Sequence, residues 1–212
     1  SAMANISLLT TDNEAEAAAV LTEIIAENEE RKRLTQLLTD DLSATLAADP
    51  TIHARNTVVM AGDGWHQGVV GIVASRLVEQ FGKPAVVIAI NDGVGKGSLR
   101  TIPSVHLGEA IEACRMHLIK GGGHAMAAGL TIEAGNVKAF AEAFERHVAT
   151  RILPGSMVQR TEYDADVTMD ELNADFFATL AALGPFGSGN PEPVVHIAAA
   201  RFAAKPQLFG RD

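Results

Sequence analysis

Lys96, Ser98 and Arg100 occupy alternate positions in Val94-Gly95-Lys96-Gly97-Ser98-Leu99-Arg100. If that segment is extended, its pleat sets all three on one face and leaves Gly97 and Leu99 on the other. A guanidinium offers a planar fork of donors, a hydroxyl a short neutral donor and an ammonium a point charge, a set that suits a phosphate. From spacing alone, a solvated strand face explains the pattern equally well. The order of Gly, Lys and Ser is not that of a Walker A loop. Further along, Gly121-Gly122-Gly123-His124 presents backbone amides without Cβ cover beside an imidazole that can carry charge. Three successive glycines cost backbone entropy that an ordinary turn avoids, which favours a binding bend over a flexible loop. Gly64-Trp65-His66-Gln67-Gly68 holds the single tryptophan between an expected strand end and helix start, where open α/β sheets bind ligands. Trp65 reads first as a packing anchor and second as a base-stacking platform; His66 reads as a phosphate ligand or a helix cap. His106 and His117 lack partners at metal-ligand spacing, and no Gly-x-Ser-x-Gly elbow is present.

These groups need an α/β frame to hold them. Thr57 to Ala61 reads as a strand, and the following helix carries apolar residues from Val69 to Phe81 over more than half its circumference. Lys83-Pro84 breaks that helix and Ala85 to Ile90 is a continuous apolar strand, which makes a β-α-β unit with parallel pairing. Asn91-Asp92-Gly93 turns the chain into the Lys96 strand. Helices are expected over Leu107 to Leu118 and Asn136 to Thr150, the second with Phe140, Phe144 and Val148 as its stripe, and a strand near Ala128 to Ile132. Ahead of this core, Asn5 to Thr10 reads as a short strand and Thr10-Thr11-Asp12 as helix-capping chemistry. A helix of about 35 residues, some 50 Å long, then runs to Asp49-Pro50. Its apolar ends, Val20 to Ile25 and Leu34 to Leu46, flank a polar middle at Asn28 to Arg33, as expected of a connector buried at both ends. Pro154-Gly155-Ser156 marks a boundary. Beyond it come a strand at Tyr163 to Val167, a helix at Asp170 to Leu183, a loop at Gly184 to Pro193 and a strand at Val194 to Ala200, short of a closed domain. The expected division is 1–50, 51–152 and 153–212.

The 212 residues carry 17 Lys+Arg against 26 Asp+Glu, a net charge of −9, which argues against coating nucleic acid by bulk charge. Charge is uneven along the chain: residues 1–60 hold 4 basic and 10 acidic groups, 61–150 hold 8 of each, and 151–212 hold 5 and 8. The neutral middle also contains 14 of the 19 glycines and 5 of the 7 histidines, so an anion site is expected there. One cysteine excludes a disulfide scaffold and fits a reducing, cytoplasmic setting. No apolar run reaches the length of a membrane span, and Ser1-Ala2-Met3-Ala4 reads as a tag remnant with a start codon rather than a signal peptide.

Four segments in order carry a resemblance: Gly64 to Arg76, Gly95 to Pro103, Gly122 to Leu130 and Pro185 to Pro193. Together they resemble the RecJ family of bacterial single-strand-specific DNA exonucleases, within the DHH/DHHA1 phosphoesterases, over essentially residues 5 to 200. The resemblance implies a DHHA1-type mixed sheet flanked by helices, preceded by a connector helix containing Asn28-Glu29-Glu30-Arg31 and followed by a partial OB-fold. It implies 5′ to 3′ hydrolysis of single-stranded DNA in repair and recombination, with Mn²⁺ or Mg²⁺ held by a DHH domain. No Asp-His-His triplet occurs in this sequence, so the chain by itself is expected to bind single-stranded DNA without cutting it, with the DHH domain as its partner and no membrane. By position, Ser98 and Arg100 would clamp the terminal phosphate region, while Gly122, Gly123 and His124 would line the cleft facing the DHH domain. Lys96, His66 and Trp65 complete the expected binding set. Thr101 stands where the family pattern leads one to expect serine. The alternatives are a DHHA1-bearing phosphodiesterase of small oligonucleotides or cyclic dinucleotides, an alanyl-tRNA synthetase-like editing context, and a non-catalytic nucleic-acid-binding module.

Overall fold

The computed structural model describes residues 2–52, 54–152, 162–201 and 203–204. The chain divides into two compact units, Ser1–Gln159 and Arg160–Asp212. Pro154 to Ser156, the expected boundary, lies outside the described residues.

The first unit is built on a five-stranded mixed sheet of order β1-β2-β3-β5-β4: β1 Val58–Asp63, β2 Ala85–Asn91, β3 Val94–Arg100, β4 Lys120–Gly123 and β5 Ala127–Glu133. β1 and β2 are parallel and every other pairing is antiparallel. β2 reads as an unbroken apolar run because it is buried on both faces. On one face Ala85, Val87 and Ala89 pack with α3 (Val70–Phe81) and with Leu42 and Leu46 of α2 (Glu14–Ala48). On the other, Val86, Ile88, Leu99, Leu130 and Ile132 pack against α4 (Leu107–Ala113) and α5 (Val137–Ala149), whose Phe140 and Phe144 stack with ring centroids 5.7 Å apart. The β2–β3 hairpin turns at Asp92 (φ 50°) and Gly93 (φ 78°), two successive positive φ angles that a type I′ turn demands.

The long helix has the expected 35 residues and ends at Asp49, but its first capping residue is Asn13, whose side chain accepts from the Ala15 and Glu16 amides. Its burial departs from expectation: Thr35, Thr39, Leu42 and Leu46 are buried, whereas Leu21 and Ile25 are exposed, so one end packs on the sheet and the other does not. The expected strand at Asn5 to Thr10 is instead α1 (Ala2–Thr10), lying against α2. Among the described residues no strand pairs with this segment. Intrahelical bonds, closed by Thr11 N–H donating to the Ser7 carbonyl at 2.9 Å, satisfy its backbone without a partner strand.

Two more expectations change. The helix expected to reach Leu118 stops at Ala113 and tightens into a 3₁₀ turn at Arg115–His117, which brings Leu118 back toward Ile111 beneath Gly121. Gly121 to Gly123 form the edge strand β4 rather than a bend, because Gly121, Gly122 and Gly123 pair in register with Leu130, Gly129 and Ala128.

The start of β1 is tied to α5. The Glu145 carboxylate accepts from Asn56 N–H (2.8 Å), Asn56 Nδ2 (2.8 Å) and Thr57 Oγ1 (2.5 Å). Lys83, almost wholly buried, donates to the carbonyls of Ile52 and Arg55. Burial pushes the Lys83 ammonium below its ordinary pKa, with Glu145 opposing.

In the second unit, β6 (Ala165–Asp166) and β7 (Val195–His196) form a short parallel pair. The expected strands thus shrink to two residues each. The expected helix from Asp170 is replaced by a 3₁₀ turn at Met169–Glu171 and α6 (Ala174–Ala182), separated because Thr168 and Glu171 close a capping box and Asn173 caps anew through the Phe176 amide. The Gly184 to Pro193 loop is ordered by Asn190, whose Nδ2 donates to the carbonyls of Leu183 and Pro185, both at 3.0 Å. None of the described residues of this unit is buried.

Candidate nucleic-acid interface

The burial pattern of β3 alternates, with Gly95, Gly97 and Leu99 buried and Lys96, Ser98 and Arg100 open to varying degree. The three polar residues therefore share the α3 side of the sheet. α3 does not cover them fully. Its first turn stands over the end of β3 at Gly71, where a Cβ would lie 3.3 Å from both Arg100 Nη2 and Ser98 Oγ. A side chain here would press on the guanidinium, so glycine leaves it room. The Arg100 Nη1 donates to the Leu99 carbonyl at 2.8 Å, which orients the fork. Ile72 and Val73 donate to the Val69 carbonyl, both at 3.0 Å, so among the described residues only the Val70 and Gly71 amides of the first turn of α3 have no backbone acceptor; they lie at the positive end of the helix dipole and add donors of the same sense.

Register carries these groups sideways into the uncovered part of the sheet. Ser98 pairs with Gly129, which pairs with Gly122. Arg100 pairs with Ala127, whose carbonyl accepts from His124 N–H at 2.8 Å, so His124 continues the Arg100 row. Two inter-strand steps separate β3 from β4, about 10 Å. In the Ser98 row the floor carries no side chain: nothing stands within 4 Å of a Cβ at Gly122, and at Gly129 only the Gly97 carbonyl does, at 3.8 Å, while Ala127 and Thr131 occupy the floor in the rows on either side. The result is a shallow trough with a guanidinium and a hydroxyl on one side and an imidazole on the other. It suits a sugar–phosphate chain lying flat.

Several expected members lie elsewhere. Gly123 does not open onto this face, since a Cβ there would meet the Ala127 carbonyl and Ala128 Cα at 2.4 Å. Gly121 points into the core against Leu118 and Ile111. Trp65 covers the backbone of Gly62 and packs in the cluster shared with α2, the anchor role that its position favoured. His66 spends Nδ1 on the Gly68 amide (3.1 Å) and faces α2, where it lines a cavity of about 630 Å³ with Asn28, Glu30 and Arg31. The Glu30 carboxyl is held below its usual range by its hydrogen bond to Arg33, with charge from Arg33 and then His66 adding to it. Thr101 is buried, and its hydroxyl has no hydrogen-bond partner among the described residues. Sequence reasoning missed Gly71, Gly129, Thr131 and Lys120; only pairing across β5 brings the last three beside Ser98 and Lys96.

Among the described residues Lys96, Arg100 and Lys120 form no ion pair. Among the same residues, no three His, Cys, Asp or Glu side chains converge where a metal could sit. The donor set is one for binding an anion.

The DHHA1 domain family matches residues 54–150, and the RecJ OB domain family matches residues 163–212. The single-stranded-DNA-specific exonuclease RecJ of Bacillus subtilis strain 168 is 33% identical over 192 residues, which cover 90% of this chain and 24% of that protein. RecJ of Escherichia coli K12 is 33% identical over 198 residues, 89% of this chain and 34% of that protein. The chain belongs to the RecJ family. The family is the one the four motif segments resemble. Crystal structures of RecJ from Thermus thermophilus in complex with Mg²⁺ and with Mn²⁺ match at TM-scores of 0.75 and 0.77, with 32% and 31% identity. They cover 91% and 92% of this chain and 29% and 28% of the RecJ chains. The chain spans about a quarter to a third of the length of the curated RecJ proteins it matches. Every residue of the trough lies in the DHHA1 match and none in the RecJ OB match.

Proposed function

We propose that this chain is the substrate-binding portion of a RecJ-type exonuclease that degrades single-stranded DNA from the 5′ end in cytoplasmic DNA repair and recombination. The trough takes the 5′ phosphate: Arg100 and Ser98 hold it from β3, the first turn of α3 contributes amide donors, and Gly122 and His124 close the far side. Hydrolysis is carried by a metal-bearing DHH domain outside these residues, so residues 1–50 act as connector, 51–152 as DHHA1 domain and 153–212 as linker and OB region. Among the described residues no helix is long and apolar enough to cross a membrane.

The observation that supports this is the cross-strand row in which Ser98, Gly129 and Gly122 lie side by side beneath the open end of α3. A scaffold with glycines serving only as turns has no use for a guanidinium that forms no ion pair among the described residues and stands next to a bare stretch of floor. The test is a fluorescence titration with 5′-phosphorylated and unphosphorylated oligonucleotides at two salt concentrations. The phosphorylated strand binds more tightly, on the order of 10⁻⁴ M for so few phosphates, and the difference shrinks with salt. Arg100→Ala removes a charge-assisted hydrogen bond worth about 1.5–3 kcal/mol, roughly 10- to 100-fold. Equal binding of the two strands, or an Arg100→Ala chain that still prefers the phosphate, ends the proposal. Degradation of single-stranded DNA by this chain with Mn²⁺, above a control carrying Arg100→Ala and His124→Ala, would show that it needs no further domain.

A further inference from the structure

The cationic side of the trough is longer than one phosphate requires. Ser98 and Lys96 are two residues apart on β3, about 7 Å, which is the reach of the sugar–phosphate link between successive phosphates of an extended single strand. Lys120 stands in the Lys96 row: Lys96 pairs with Thr131, and Thr131 pairs with Lys120. Two inter-strand steps put the lysine backbones about 10 Å apart, wide enough for their long side chains to close on one phosphate between them. Both are exposed, and among the described residues neither is engaged in an ion pair. Beyond this row Glu133, paired with Val94, presents a carboxylate on the same face. Its charge repels a third phosphate, so the track has two places.

We propose that Lys96 and Lys120 form a second phosphate subsite. The strand runs lengthwise along β3, its 5′ phosphate at Ser98 and Arg100, its first internal phosphodiester between the two lysines, and its sugar over Gly122 and Gly129. The division of residue types fits the two positions. A planar guanidinium fork fixes the terminal group, whereas a point charge on a flexible stem follows an internal phosphodiester whose orientation varies with the bases. The inference rests on the proposed function and extends it from one phosphate to a path. The ligand class is therefore a 5′-phosphorylated dinucleotide or longer single strand, with a mononucleotide filling only the first place.

The experiment compares thymidine 5′-monophosphate with the 5′-phosphorylated thymidine dinucleotide, each titrated into the full 212-residue chain and into variants at about 50 mM salt. The double variant Lys96→Gln, Lys120→Gln is expected to bind the dinucleotide roughly two- to tenfold more weakly, the range for one or two exposed charge contacts. It binds the mononucleotide as the parent chain does, and its salt slope for the dinucleotide falls by about one. Both positions are exposed, so folding is not at stake, and Lys138→Gln on α5 serves as an unaffected charge control. Equal losses on the two ligands, or no loss on the dinucleotide, overturn the second subsite. Arg100→Ala tells the two proposals apart. If it leaves the mononucleotide affinity unchanged, the first subsite is wrong; if it abolishes that affinity while the lysine variant loses nothing, only the path is wrong.

Discussion

Adjacent glycines on β4 should respond in opposite ways to the same methyl group. At Gly122 an added Cβ meets nothing within 4 Å, and its φ is not positive, so alanine adopts the native backbone without strain. Replacing glycine at a compatible position restricts the unfolded chain and stabilises by about 0.4–1 kcal/mol. For a domain of this size that raises Tm by roughly 1–4 °C. At Gly123 the same Cβ would come within 2.4 Å of the Ala127 carbonyl and Ala128 Cα, backbone atoms that cannot rotate away. Overpacking of that kind costs about 1–3 kcal/mol or more, lowering Tm by roughly 2–12 °C. Binding should follow the reverse order. The Gly122 methyl projects into the trough and lifts a phosphate off the floor, away from Arg100, with an expected loss of about 1 kcal/mol, near fivefold. Gly123→Ala loses affinity only in proportion to the unfolded fraction. The assays are thermal denaturation followed by circular dichroism and titration with a 5′-phosphorylated oligonucleotide below both midpoints. A Gly122→Ala chain that is destabilised by more than about 1 kcal/mol, or one that binds as well as the parent, refutes the assignment of Gly122 to an open binding floor.

Three further outcomes follow from packing and charge. Glu145→Ala removes three hydrogen bonds to Asn56 and Thr57 and the Glu145 charge that favours the Lys83 ammonium, so a loss of about 2–4 kcal/mol is expected in urea denaturation; a midpoint shift equivalent to less than about 1 kcal/mol would contradict it. Burial pushes the Cys114 thiol from 9.0 up to about 11, so the unfolded chain loses that proton first. Its contribution is complete below about pH 9 and is lost as pH rises toward 11, by at most about 3 kcal/mol, and Cys114→Ala should flatten the stability profile over that window. Trp65→Ala strips the cover from Gly62 and part of the contact with α2, costing about 2–4 kcal/mol, while the folded protein keeps its phosphate affinity; a selective loss of binding would return Trp65 to the site.

Much of the frame was legible because its signals are local. The unbroken apolar run of β2, the wrapped apolar surface of α3 and the Phe140, Phe144, Val148 stripe of α5 each follow from a hydrophobic period, and Asp92-Gly93 carries its turn type in its own residues. The alternation of Lys96, Ser98 and Arg100 was equally local, since a strand has only two faces. Ile6-Ser7-Leu8-Leu9 was not, because a short apolar run has no period of its own and its state depends on whether a strand edge or a helix lies alongside. Gly121 to Gly123 posed the same problem: glycine favours neither bend nor strand, and pairing with β5 settled it.

Residue types and alternation thus determined that one strand face could hold a phosphate. Tertiary structure decided what that face is part of. The insertion of β5 between β3 and β4 sets Gly129 beside Ser98 and Lys120 across from Lys96, while docking on α2 turns Trp65 and His66 away. These are contacts between segments far apart in the chain, selected by burial of both sheet faces at once, and no local period encodes them.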